Sequence, residues 1–481
     1  MIWRRSENPS MLKATPSMFL AKWWSRLTRN AFSPTQGAYS LHRLIGNTGW
    51  LFADRVFAMG LNILVGIWLA RYLGPDQYGL YSYALAFVAL FSTLAALGLD
   101  GVIVRDIVNA PASSGETLGT IFGMKLVVSL AALGVVIGGI FWARPTEPLA
   151  HWLVAITALT LIFKPFDVID IWFQSQIQAR AAVLARNLVL ALSTTVKVGL
   201  ILTAAPLLAF AWVGTAEVAL IAVGLALSYI VQRQTFAAWR FSRARALNLL
   251  RECWPLIIAG LSVTIYMRID QVMLGQMLGD KAVGIYSVAT RISEMGYFIP
   301  MAVMSSLAPA LIEIRKADRA RYDVQIQRVF NLMVLLALAI TIPGSLLATP
   351  VVSMLFGVRY VEAGAILAVH IWATLFVFLG VAQGTWDINE GLTRYGLLRT
   401  VSGAGINVLM NIVLIPSMGG LGAALATLVS QASAAWLLNL ISPLTRPIFW
   451  RQMRALALID VWNAMLLRLC NKRSGSEHHE P

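Results

Sequence analysis

Five basic side chains stand inside long apolar stretches of this sequence: Arg55, Lys125, Lys197, Arg268 and Arg291. Guanidinium and ammonium groups in a partly dehydrated site bind anions well, because their charge-assisted hydrogen bonds replace part of the anion's hydration. These five residues are therefore candidate ligands for an anionic substrate.

Three acidic residues have the same kind of apolar surroundings: Glu217, Asp270 and Glu294. Buried carboxyl groups are candidates for ion coupling, since they can exchange a proton or pair with a cation. The bland alternative is that carboxylates neutralise the cations. Glu294 follows Arg291 by three residues, one helical turn, whereas Arg268 and Asp270 are two residues apart and do not face each other. Glu217 has no cation nearby in sequence, so it is expected to be protonated or paired across helices.

The elements that hold these charges are predicted by composition. The chain has 481 residues, of which 58% are hydrophobic and 13% charged, and its mean hydropathy is +0.71. A soluble domain does not have this composition. Apolar runs of about 20 residues predict membrane-spanning helices rather than barrel strands. The fold class is therefore an all-α polytopic membrane protein.

Apolar runs of spanning length predict about twelve transmembrane helices. They lie near residues 48–71, 80–104, 117–142, 149–172, 184–205, 207–232, 254–278, 282–311, 329–355, 361–386, 396–416 and 420–442. The division at Pro206 is the least distinct, because one long apolar stretch is interrupted there by little more than a proline.

The five cations lie deep in these spans. At ~1.5 Å per residue, Lys125 is ~12 Å, Lys197 ~20 Å, Arg268 ~21 Å and Arg291 ~14 Å inside its span, while Arg55 is ~10 Å from the inner face. A charge at mid-bilayer costs at least ~2.5–3.5 kcal/mol on insertion scales. Buried charges are consequently functional candidates.

The distribution of Lys and Arg predicts orientation. With the N-terminus in the cytoplasm, 28 of the 38 lie in cytoplasmic segments and four on the other side. This bias indicates that both termini are cytoplasmic. The predicted domains are a basic extension (1–44), a six-helix lobe (45–233), a basic linker (234–253), a second lobe (254–442) and a basic tail (443–481).

An internal repeat relates the two predicted lobes. LARYLGPDQYGLYSYA at 69–84 and LGQMLGDKAVGIYSVA at 274–289 agree at seven of sixteen positions, with a constant offset of 205. Glycines at a helix reversal and interfacial tyrosines account for the shared residues. Because six spans separate the copies, the two bundles are parallel repeats, an architecture that encloses a cavity at mid-membrane.

These motifs resemble the polysaccharide flippase (O-antigen exporter) family. LARYLGPDQYGLYSYA, LGDKAVGIYSVATRIS, LFGVRYVEAGAILAVHIW and INVLMNIVLIPSMGGLGAALATLVSQ carry the resemblance, which covers roughly residues 45–442. The superfamily also includes multidrug and toxin extrusion antiporters and lipid II flippases. The basic N-terminal extension is a departure from the family pattern.

The resemblance implies alternating access around a central, usually cationic cavity. Its cargo would be an undecaprenyl-pyrophosphate-linked oligosaccharide, moved from the cytoplasmic to the periplasmic leaflet of a bacterial inner membrane. The five cations would then neutralise pyrophosphate. Membrane lipids, and a polysaccharide polymerase or other assembly proteins, are the implied partners. A cation-coupled multidrug antiporter and a lipid II flippase remain alternatives.

Other classes find little support in the sequence. The extracytoplasmic loops are about ten residues or shorter, which leaves no room for the catalytic residues of a polymerase or ligase. No metal-ligand pattern, nucleophile elbow or phosphate-binding loop is present, so neither an enzyme nor a cofactor or metal is expected. The cations occur in short clusters between spans, which argues against nucleic-acid binding.

Overall fold

The computed structural model describes residues 41–176 and 179–459, with side chains for 57–99, 101–111, 113–176 and 182–459. The described chain is helical and contains no strand. Its helices are α1 Leu41–Ala96, α2 Asp100–Asn109, α3 Ser114–Ala143, α4 Pro148–Ala158, α5 Thr160–Phe163, α6 Asp167–Ser175, α7 Ala179–Leu202, α8 Leu207–Val231, α9 Arg243–Leu278, α10 Asp280–Glu294, α11 Phe298–Ala317, α12 Arg319–Leu346, α13 Ala348–Phe356, α14 Ala363–His370, α15 Ala373–Glu390, α16 Thr393–Ala435 and α17 Arg446–Leu456.

Short 3-10 turns connect several of these helices. They are Pro111–Ser113, Lys164–Phe166, Phe236–Ala238, Met295–Tyr297, Val358–Tyr360 and Leu437–Leu440. The predicted division at Pro206 is confirmed, because α7 ends at Leu202 and α8 begins at Leu207. Most of the predicted N-terminal extension and C-terminal tail lies outside the described residues.

Ten helical segments within the described chain are long and apolar enough to cross a membrane. Large apolar side chains on their surfaces are exposed, among them Val127 (68%), Leu188 (71%) and Leu202 (82%). In water this exposure would oppose folding, whereas in a bilayer such side chains contact lipid tails. The chain is a multi-pass membrane protein.

Two of the ten segments contain a chain reversal. Arg291 donates one hydrogen bond to the Asn62 carbonyl (2.7 Å) and another to the Tyr78 hydroxyl (3.0 Å). Sixteen residues of straight helix would place those partners ~24 Å apart, so the chain folds back between them, at the non-helical Gly74. A Cβ on Gly422 would likewise overlap the carbonyl of Leu414 across the non-helical Gly419.

These reversals fall where spans one and two, and spans eleven and twelve, were predicted to meet. They favour the predicted count of twelve, which stays a prediction.

The repeated motif places its two copies against each other. Gly74 (φ 71°, ψ 173°) and Gly279 (φ 82°, ψ 179°) share a left-handed conformation that disfavours other residues. A Cβ on Gly79 would overlap the carbonyl of Asp280, and a Cβ on Gly284 would overlap the carbonyl of Pro75. Since Pro75 and Asp280 are also 205 residues apart, the contacts are reciprocal, as a local two-fold axis requires.

Three apolar cores organise the bundle. One core, called the outer core below, contains residues from both the N-terminal and the C-terminal half of the chain. It includes Tyr78 and Phe210 as well as Tyr286 and Tyr360. The N-terminal core draws on residues 97–257, including the first turns of α9. The C-terminal core draws on residues 299–458. We call the end with the Gly74 and Gly279 turns the outer end, after the predicted orientation, and the opposite end the inner end.

Candidate functional site

The charged residues of α9 and α10 do not pair along one helix, as the alternative of an Arg291–Glu294 pair would require. Glu294 accepts hydrogen bonds from Arg268 on α9, at 3.1 and 3.4 Å, and not from Arg291 on its own helix. The reason is that α9 and α10 pack side by side after the turn at Gly279, which brings Arg268 across to Glu294. The Arg291–Glu294 pair was one of the alternatives left open by the sequence, and the structure pairs Glu294 with Arg268 instead.

Arg291 points instead to the N-terminal half of the chain. Its partners are the Asn62 carbonyl and the Tyr78 hydroxyl, both uncharged. A Cβ on Gly66 would overlap its guanidinium, so the absence of a side chain at 66 makes room for it. No carboxylate among the described side chains lies within ion-pair distance of Arg291.

Lys197 and Glu217 form an ion pair between α7 and α8. The Lys197 ammonium lies 2.7 Å from the Glu217 carboxylate, and both side chains are largely buried. Ser193 also donates to this carboxylate, at 2.5 Å. Glu217 is therefore paired across helices, one of the two outcomes expected for it. Tyr81 lies within electrostatic reach of both Glu217 and Arg291, which connects this pair to the charges of the other half.

Asp270 has a different environment, composed of neutral donors. Its carboxylate accepts hydrogen bonds from Tyr286 (2.6 Å) and Asn411 (2.5 Å), and from Thr427. Only 2% of Asp270 is exposed. The side-chain oxygen of Asn411 is buried beside it without a hydrogen-bond donor. A carboxylate and an unsatisfied amide oxygen form a polar cluster suited to a proton or a small monovalent cation.

The remaining two candidate cations are Lys125 and Arg55. Lys125 is buried on α3 with 1% exposure and has an interaction of its own. Arg55 lies in α1, at a position whose side chain is outside the described ones. The described side chains thus form two ion pairs, Lys197–Glu217 and Arg268–Glu294. Arg291 contacts neutral groups of α1.

Arg144 fastens the outer end, although the sequence placed it in a loop. Its guanidinium lies 2.8 Å from the Asp280 carboxylate and 2.8 Å from Glu147. It donates to the Gly275 carbonyl at 3.0 Å and covers the Tyr83 ring at 3.9 Å. Burial acts to lower the pKa of Arg144, but Asp280 and the other neighbours raise it above its ordinary value. Arg144 therefore stays charged at every physiological pH.

Sequence reasoning also missed a buried ion pair in the C-terminal half. Arg399 on α16 contacts Asp387 on α15, and their side chains are 11% and 6% exposed. Asp387 directly follows the predicted span 361–386, and Arg399 lies near the start of the predicted span 396–416. Only tertiary packing buries them, so no local sequence signal was available.

Within the part of the chain that the structure describes, no group of three or more His, Cys, Asp or Glu side chains could hold a metal ion. The geometry is that of a charge-lined interface between two helical halves. It can hold an anion beside Arg291 and exchange a proton or cation at Asp270.

Comparison with known proteins agrees with this geometry. Residues 44–315, more than half of the chain, match the polysaccharide biosynthesis protein family. The chain belongs to this family. The resemblance expected from the motifs is therefore confirmed.

Two relatives come from Haloferax volcanii. The probable low-salt glycan biosynthesis flippase Agl15 is 23% identical over 393 residues, which cover 79% of this chain and 80% of Agl15. The probable flippase AglR is 29% identical over 178 residues, which cover 34% of this chain and only 36% of AglR.

Solved structures share the fold. The lipid II flippase MurJ in an inward closed conformation has a TM-score of 0.65 at 14% identity, covering 88% of this chain and 93% of MurJ. An inward-facing multidrug resistance MATE family transporter of the MOP superfamily has a TM-score of 0.64 at 17% identity, covering 83% and 95%. At these identities the likeness concerns the fold, and it confirms the predicted fold class of an all-α polytopic membrane protein.

Proposed function

We propose that this chain is a non-enzymatic flippase of glycan assembly. It moves an undecaprenyl-pyrophosphate-linked oligosaccharide from the cytoplasmic to the periplasmic leaflet of a bacterial inner membrane, with both termini cytoplasmic. Family membership and relatives named as glycan flippases support this reading. The 28-to-4 distribution of cations supports the orientation. A polysaccharide polymerase or another assembly protein would receive the exported unit.

The observation that carries the proposal is the state of Arg291. It is half-buried between the two halves of the chain and bonded to neutral oxygens only. A guanidinium in this position can release Tyr78 and take a pyrophosphate oxygen instead, because its bidentate donors match that group. Arg291 thus replaces Arg268 as the leading candidate for substrate binding.

The Asp270 cluster supplies a means of coupling. Protonation or cation binding there would remove the need for donors from Tyr286 and Thr427. Since Tyr286 belongs to the repeated motif on α10, a change at Asp270 reaches the helix that also carries Arg291. We propose that this cluster connects an ion gradient to movement of the halves, with Glu217 and Glu294 serving mainly as ion-pair partners.

The test uses purified protein in liposomes that contain a fluorescent polyprenyl-pyrophosphate oligosaccharide. Arg291→Ala should slow its translocation at least about tenfold, while Arg291→Lys should restore part of the rate, since it returns charge without the fork geometry. Arg394→Ala removes an exposed arginine and serves as the matched control. Unchanged transport by correctly folded Arg291→Ala would contradict the proposal.

A second comparison examines the Arg268–Glu294 pair. Arg268→Ala alone leaves an unpaired buried carboxylate, whereas the double change Arg268→Ala with Glu294→Ala restores the charge balance. Transport recovered by the double variant would show that Arg268 is structural. Transport lost equally in both variants would return Arg268 to the substrate site.

The rival function, a cation-coupled multidrug antiporter, is measured in the same liposomes. Drug export that depends on Asp270, together with no oligosaccharide transport, would favour the antiporter over the flippase.

A further inference from the structure

The last described helix, α17, is firmly attached to the C-terminal half. Ile448, Phe449 and Ala455 are buried. Gln452 donates to the Gln383 side chain at 3.0 Å and to the Ala435 carbonyl at 2.9 Å. At 11 residues, α17 is ~16 Å long and too short to span a bilayer. It is a fixed element beside the inner ends of the spans.

The opposite side of this region is suited to a membrane surface. Trp450 is 58% exposed, and the arginines at 446 and 454 are exposed beside it. The preceding turn adds Ile441 and Leu444, which are 71% and 55% exposed. Apolar and aromatic residues among cations are typical of a helix that lies in the headgroup layer. The predicted orientation makes this the cytoplasmic leaflet.

A basic groove separates α17 from the start of α12. Its volume is about 460 Å³, and its polar lining comprises Asp323, Gln327, Arg328, Asn331, Arg451 and Arg454. Three arginines thus face one aspartate, which leaves the groove positively charged. The groove lies between two helices, and its lining also includes the exposed apolar residue Val324.

The single carboxylate of the groove is already engaged. Arg451 lies 2.8 Å from the Asp323 carboxylate and donates to the Asp323 carbonyl at 2.6 Å. Gln327 donates to the Arg451 carbonyl at 3.0 Å, which fixes the two walls together. Arg328 makes no ion pair with any described residue, and its side chain is exposed. Arg454 has an interaction of its own. The groove therefore presents the guanidinium of Arg328 in a preformed setting, beside those of Arg451 and Arg454.

We propose that this groove binds the headgroup of an anionic phospholipid from the cytoplasmic leaflet. The phosphodiester contacts Arg328 and Arg454, and the acyl chains follow the apolar residues at the groove's edge. Basic pockets between helices on the cytoplasmic side are suited to such headgroups. The site is independent of the transported cargo. Because Gln452 ties α17 to α15, a bound lipid would also restrain the inner end of the C-terminal half.

The experiment measures lipid retention by the full chain in detergent, using native mass spectrometry with added phosphatidylglycerol or phosphatidylcholine. The double variant Arg328→Gln with Arg454→Gln should bind phosphatidylglycerol at least about tenfold more weakly. The matched control, Arg321→Gln with Arg394→Gln, removes two exposed arginines at the same end and should leave binding within about twofold. Phosphatidylcholine should bind weakly to all three proteins.

Three outcomes would overturn the proposal. Equal binding of phosphatidylglycerol by the double variant and the control would show that Arg328 and Arg454 do not form the binding site. Equal affinity for phosphatidylcholine would show that acyl chains alone are recognised. Stronger binding of polyprenyl pyrophosphate, lost in the same double variant, would make the groove an entry site for cargo. Because both arginines are exposed, thermal unfolding of the variants should match that of the parent, and this check separates lost binding from lost folding.

Discussion

The outer and inner ends of the molecule are held in different ways. At the outer end both halves share one apolar core, two glycine-containing helix segments interlock, and the Arg144 side chain is only 4% exposed in its ion pair with Asp280. At the inner end the apolar packing is divided between two cores, with the first turns of α9 in the N-terminal one, and the ion pair Arg105–Glu252 is about half exposed at both partners. The outer end is held by buried contacts between the two halves, whereas the inner end is held by more exposed contacts.

This difference indicates which contacts decide the end of the molecule that closes. Apolar helix surfaces gain little by meeting each other in lipid, so close backbone approach and buried polar contacts must decide which ends close. The repeated glycines allow the close backbone approach. The buried polar contacts are made by Arg144, Tyr360 and Arg291. Tyr360 donates to the Ala70 carbonyl at 2.8 Å, while Arg71 donates to the Leu355 carbonyl at 2.7 Å. These contacts hold the outer end closed in this structure.

The largest expected effect concerns which end faces which side of the membrane. A cysteine at Arg359 should react fully with an impermeant thiol reagent in sealed cells, whereas a cysteine at Arg243 should not react, because the distribution of 28 cations against 4 predicts that position 243 is cytoplasmic. Permeabilised cells provide the control, since both positions should then react. Labelling of position 243 in sealed cells would contradict the predicted orientation and place the inner end outside the cytoplasm.

The glycine contacts come next in expected effect. Gly79→Ala or Gly284→Ala adds a methyl group where a backbone carbonyl already lies, so the outer end should fail to close and transport should fall at least about tenfold. Gly138→Ala is the matched control, because nothing lies within 4 Å of a Cβ there. Normal transport by Gly79→Ala would mean that the interlocked segments are not essential.

A smaller effect is expected for the Arg144 ion pair. Arg144→Gln leaves Asp280 largely buried without its cation, which should destabilise the closed outer end by ~3 kcal/mol. Thermal unfolding in detergent, combined with cysteine accessibility near the Gly279 turn, measures this loss. Arg105→Gln, at the exposed inner pair, should change neither quantity measurably. Similar losses for both variants would erase the proposed contrast between the ends.

The sequence predicted the fold better than the site. Helical spans, the break at Pro206 and the reversals near Gly74 follow from apolar run length and local breakers, which depend on neighbours in sequence. The partners of Arg268 and Arg291 depend on how α9, α10 and α1 pack, and residue spacing along one helix could not decide among the possible pairs. Arg144 was missed for the same reason, because its carboxylate lies 136 residues away at position 280.

The most direct test of the account is a pair of spin-label distances measured in liposomes. One pair, Thr146→Cys with Val358→Cys, reports on the outer end, and the other, Arg233→Cys with Arg394→Cys, reports on the inner end; all four positions are exposed. Cys253 and Cys470 are first replaced by Ser. The account predicts that adding lipid-linked oligosaccharide and an ion gradient lengthens the outer distance while it shortens the inner one. Distances that stay fixed, or that change in the same direction at both ends, would contradict it.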